Sequence, residues 1–65
     1  RLWIDWQALG PADTEERLSQ MCRLVLDAEA AGLEYGLRLP QRVIVPATGL
    51  SHQHRCLEAL AVFAG

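Results

Sequence analysis

A helical stretch set between two strand-like runs constrains this chain more than any other feature. Leu2-Trp3-Ile4-Asp5-Trp6 is a short apolar run that reads as a strand, with apolar residues on both faces, as in strands covered on both sides. Leu18, Met21, Cys22, Val25 and Ala28 then recur at three-four spacing, which makes one buried helical stripe. Leu33 to Leu39 follows with strict alternation: Leu33, Tyr35, Leu37 and Leu39 point one way, and Glu34, Gly36 and Arg38 the other. A strand, a helix and a second strand in one sheet close as a right-handed crossover, so strands one and two are predicted to be parallel.

The punctuation agrees with this order. Gly10-Pro11-Ala12 breaks the first strand, and Asp13 can accept from the orphan N–H groups of a helix start, with Glu16 three residues on in a capping-box pattern. Gly32 is the natural stop, because it tolerates the left-handed conformation past a helix end. Pro40-Gln41 makes a short turn into Arg42–Val45, a β-branched run that returns antiparallel. Pro46 ends it and marks an edge strand, since Pro cannot donate to a ladder. After a loop over 47–50, Ser51 is the expected N-cap of a last helix whose apolar face holds Cys56, Leu57, Leu60, Ala61 and Phe63 or Ala64. Its periodicity leaves open which face of the sheet it covers.

The expected fold class is therefore α/β: β-α-β-β-α, with a three-stranded mixed sheet of order 1-2-3, strand three antiparallel, and two helices. The 65 residues allow one small core only. With no initiator Met, and a last helix that is apolar up to Gly65, the chain reads as a single small domain cut from something larger.

Composition removes several function classes. Half the residues are apolar at a net charge of −2, which fits a globular core and not intrinsic disorder. All six basic residues are Arg, spread from Arg1 to Arg55 without a basic stripe, so nucleic acid is not an expected partner. No apolar stretch is long enough to span a bilayer. Cys22 and Cys56 sit at helical positions among apolar neighbours and read as reduced core thiols of a cytoplasmic protein.

Few residues suggest chemistry. Asp5, a carboxylate at a strand end ahead of a loop and helix, stands where many α/β folds place a ligand or metal. Its alternative role is structural: accepting backbone N–H groups from the following loop, or pairing an Arg such as Arg38. His52 and Cys56, four apart, share a helix face. Zinc would need further ligands, with Cys22 arriving from the other helix; a Cys-His nucleophile would need an oxyanion hole as well. The plainer reading has His52 and His54 as polar first-turn residues and Cys56 in the core. Gly10-Pro11 is not a phosphate-binding loop, and no nucleophile elbow is present, so no enzyme activity is expected. Trp3 and Trp6 fall on opposite faces of a regular strand. One belongs in the core, and an exposed one would mark an interface.

Leu2-Trp3-Ile4-Asp5-Trp6, Asp13-Thr14-Glu15-Glu16-Arg17-Leu18-Ser19, Tyr35-Gly36-Leu37-Arg38-Leu39-Pro40 and Cys56-Leu57-Glu58-Ala59-Leu60-Ala61, taken together, resemble the C-terminal end of a bacterial family, number 58 in the domain-of-unknown-function series. That family is similar to a divergent von Willebrand factor A domain. The resemblance implies part of an A-like sheet in a membrane-anchored parent. It also implies a non-enzymatic interaction or scaffold role beside a MoxR-type AAA+ ATPase. The A-domain metal motif, Asp-x-Ser-x-Ser, would place Mg²⁺ at Asp5, the alternative being a metal-dependent binding domain. Gln7 and Leu9 stand where the two serines fall, and Thr48 is the remaining local oxygen donor. An uncovered edge on strand one further predicts a homodimer or higher assembly, since unpaired edges recruit partners.

Overall fold

The computed structural model describes residues 1–10 and 13–64, so Pro11 and Ala12 of the expected first break lie outside the described residues. The elements run β1 (Leu2–Asp5), a 3-10 turn (Trp6–Ala8), α1 (Thr14–Ala30), β2 (Tyr35–Leu39), β3 (Arg42–Ala47) and α2 (Leu50–Ala64). The sheet order is β1-β2-β3. β1 pairs parallel to β2, with Leu2 opposite Tyr35 and Asp5 opposite Arg38, and β3 pairs antiparallel to β2. The β-α-β-β-α layout and mixed sheet are as the sequence predicts.

Both ends of α1 follow from local chemistry. Asp13 Oδ1 accepts from the Glu16 N–H at 2.8 Å. At the other end Gly32 takes φ 72°. Its N–H donates to Glu29 O, and that of Leu33 donates to Ala28 O. These two bonds make a Schellman cap, and they hold Leu33 outside the sheet. Strand β2 therefore begins at Tyr35, and Leu33 is 48% exposed instead of extending the alternating row.

Three further expectations are corrected. β3 continues through Pro46 to Ala47. Tyr35 faces Ala47 and Leu37 faces Ile44, so β3 carries one extra residue between them. Proline is tolerated at such a bulge on an edge strand. The first strand stops at Asp5, because Trp6 enters the 3-10 turn. The last helix starts at Leu50, with Ser51 already inside it. Its first intrahelical bond runs from the Gln53 N–H to Gly49 O, which makes Gly49, at φ 111°, the capping residue.

Both helices pack on one face of the sheet. Tyr35 settles this, since its hydroxyl reaches Glu29 of α1 and its ring lies against His52 of α2. The core between the layers joins Ile4, Tyr35, Leu37, Leu39 and Ile44 to Met21, Val25 and Ala28 of α1 and to Cys56, Ala59 and Leu60 of α2. Each large side chain fully withdrawn from water contributes about 1.5–3 kcal/mol. The buried row of α2 is His52, Cys56, Ala59 and Leu60; Ala61 is exposed, so the face is rotated from the expected one. The opposite face of the sheet carries no helix among the described residues. β1 is thus covered on one side only, not both.

Candidate functional site

The uncovered face is built by the odd positions of β1 and the even positions of β2. Parallel register puts Trp3 opposite Gly36 and Asp5 opposite Arg38. The Trp3 indole packs against Gly36. A Cβ on Gly36 would stand 2.7 Å from Trp3 Cζ3 and 2.9 Å from the Ile44 carbonyl oxygen, so no larger residue fits beneath the ring. Gly36 is buried for this reason, although its alternation places it on the open side. The Arg38 guanidinium stacks on the indole, 4.1 Å from the ring centroid. Such a stack at a partly exposed site contributes about 0.5–1 kcal/mol.

Asp5 is held by two contacts. Oδ1 accepts from the Gln7 N–H at 3.0 Å and so caps the 3-10 turn. Oδ2 lies 3.9 Å from Arg38, with both side chains partly exposed. Screened by solvent, that pair is worth about 0–1 kcal/mol. These are the two structural roles the sequence offers Asp5. Gln7 is exposed, and Leu9 packs against the core. Thr48 follows Ala47, which faces Tyr35, and so it lies at the opposite end of the sheet from Asp5.

The two tryptophans separate. Trp6 is buried in the core, edge-on to Phe63 with ring centroids 4.8 Å apart, and the Arg17 guanidinium lies over its ring, 5.3 Å from the centroid. Trp3 alone lies on the open face.

Beneath the sheet is a polar cluster that periodicity does not disclose. His52 is 6% exposed, a core residue and not a solvated first-turn one. Its Nε2 lies 2.6 Å from the Tyr35 carbonyl oxygen. A carbonyl only accepts, so Nε2 carries the proton and donates it. Cys56 Sγ is 3.7 Å from that same nitrogen. A protonated Nε2 cannot take the thiol proton, and burial raises the Cys56 pKa, offset in part by Arg55 and Arg42. The thiol therefore stays neutral and unactivated. Glu29 accepts from the Tyr35 hydroxyl at 2.8 Å and from the Gly49 N–H at 3.1 and 3.2 Å. Burial raises the Tyr35 pKa well above its ordinary value, and the hydrogen bond and charge of Glu29 raise it further. Cys22 and Cys56 are both free thiols. Among the described residues, no three His, Cys, Asp or Glu side chains come together to hold a metal ion. Nor is any helix long and apolar enough to cross a membrane.

No protein-family model, no curated protein and no solved structure matches this chain.

Proposed function

We propose that this chain is a non-enzymatic protein-interaction module that binds through the uncovered face of its sheet. The Trp3–Arg38 stack over Gly36 carries this reading. Aromatic and arginine side chains dominate binding energy at interfaces, and here the pair is pre-assembled by the sheet register. The buried His52–Cys56 pair supports a structural role, since its nitrogen is already committed to Tyr35. The free Cys22 and Cys56 suit the cytoplasmic setting expected from the sequence.

The resemblance noted above makes a MoxR-type AAA+ ATPase the first partner to test. Titration of ¹⁵N-labelled chain with such an ATPase should shift the amides around Trp3, Gly36 and Arg38, and Trp3→Ala should weaken binding at least about tenfold. Unchanged affinity in Trp3→Ala overturns the reading. The open edge of β1 also supports self-association of the isolated chain. Sedimentation at micromolar concentration should show a dimer or larger species, and a clean monomer removes that part.

A further inference from the structure

The outer edge of β3 is a second surface, at the opposite edge of the sheet from β1 and its Trp3. β3 is the terminal strand of the sheet, so one side of its backbone has no partner strand among the described residues. Such rows of N–H and C=O groups are templates for an added strand. A groove of about 400 Å³ runs along this edge, lined by Arg42, Val43, Ile44 and Val45 and walled by Arg55 from α2. The template is short: Pro46 has no N–H, so the ladder is limited to Arg42–Val45.

The charges say what kind of strand fits. Arg42 and Arg55 are exposed, and neither has a carboxylate within 4.0 Å among the described residues; the ion pairs there are Arg23–Asp27 and Arg38–Asp5. Alternation along β3 puts Arg42 on the side of Ile44 and α2, and puts Val43 and Val45 on the open side. An incoming strand would therefore meet guanidinium on one side and valine on the other. A second copy of β3, whose sequence holds no Asp or Glu, would bring no carboxylate to Arg42 or Arg55, which disfavours it.

We infer that the β3 edge takes an acidic, extended protein segment as an added strand, its carboxylates against Arg42 and Arg55 and its alternate apolar residues against Val43 and Val45. Cross-strand pairs of opposite charge and of β-branched side chains are the stabilising units of such an addition. This adds a partner class to the interaction reading and a different surface from the Trp3 stack, so the two can fail separately.

The test uses a fluorescein-labelled, end-blocked EVEVE peptide and the 65-residue chain, with anisotropy as the readout. EVEVE should bind, and about 0.5 M salt should weaken it markedly. A KVKVK peptide, and EVEVE methylated at every backbone nitrogen, should each lose at least about tenfold. The double variant R42E/R55E should lose as much, with R42Q/R55Q as a milder pair; both sites are exposed, and circular dichroism reports whether each variant is folded. Amide shifts should centre on Arg42–Val45, and Trp3→Ala should leave EVEVE binding unchanged. The proposal is overturned if EVEVE does not bind, if KVKVK or the methylated peptide binds equally well, if the shifts centre on Trp3 and Arg38, or if peptide is excluded by a β3-mediated dimer.

Discussion

Glu29 caps a helix to which it does not belong. From the last turn of α1 its carboxylate accepts the backbone N–H of Gly49, at 3.1 and 3.2 Å, just where α2 begins. The negative charge meets the positive end of the α2 dipole, and the Tyr35 hydroxyl donates to the same carboxylate. One side chain thus ties α1, β2 and α2 together.

Removing it should be costly. Glu29→Ala leaves the Tyr35 hydroxyl and the Gly49 N–H without their acceptor, and each partly buried orphan costs on the order of 1–3 kcal/mol. Urea denaturation should show a loss of about 2–6 kcal/mol on that basis. Glu29→Gln keeps one acceptor oxygen and should lose less. Equal losses in the two variants would mean that the carboxylate charge, and not a neutral acceptor oxygen, carries the whole effect.

Stability should fall in alkali. The Cys56 and Tyr35 pKa values are both raised in the folded chain, from ordinary values of 9.0 and 10.0. Above those values the unfolded chain releases protons that the folded chain still holds. The unfolding free energy then decreases with rising pH, by up to about 1.4 kcal/mol per pH unit for each such proton. Below about pH 8 this contribution is fully present. Cys56→Ala should flatten the decline that begins near pH 9, and Tyr35→Phe the one that begins near pH 10, in denaturation series from pH 7 to 11.

Gly36→Ala should displace Trp3. The added methyl meets the indole at 2.7 Å and a backbone carbonyl at 2.9 Å, and the carbonyl cannot move without the sheet. A loss of about 1–3 kcal/mol is expected, with a red-shifted indole emission once the ring is wetter. Pairing it with Trp3→Ala should recover only part of the loss, because the Ile44 carbonyl stays in place. Full recovery would place the whole clash on the indole.

The two thiols should label differently. Cys56 is fully buried with a raised pKa, while Cys22 is only half-buried. Iodoacetamide at pH 8 should modify one cysteine in the native chain, Cys22, and reach Cys56 only in denaturant. Mass spectrometry of tryptic peptides reads the site directly. Native labelling of Cys56 first would contradict the neutral thiol described here.

Much of the fold was legible in the residues because its signals are local. Helix α1 is announced by Asp13, the three-four stripe and Gly32, and each acts within a turn of its own position. The Pro40-Gln41 turn and the alternation through Leu39 likewise specify a hairpin. The errors fall where a distant group overrides a local one. Ser51 looks like a cap, but Glu29 accepts the N–H of Gly49, twenty residues on, and the helix starts at Leu50. His52 looks like a solvated residue, but the Tyr35 carbonyl satisfies it in the core. Gly36 looks like a residue of the wet face, but Trp3 closes over it.

By itself the sequence determined the order and kind of the elements, the parallel crossover and the hairpin, since periodicity, capping and turn chemistry act over a few residues. Only the tertiary structure decided that both helices share one face, leaving Trp3, Arg38, Val43 and Val45 on the other. The amphipathic stripe of a helix says that a side must be buried, not which side of a sheet will bury it. That choice came from Tyr35, whose hydroxyl and ring engage α1 and α2 from the same side of the sheet.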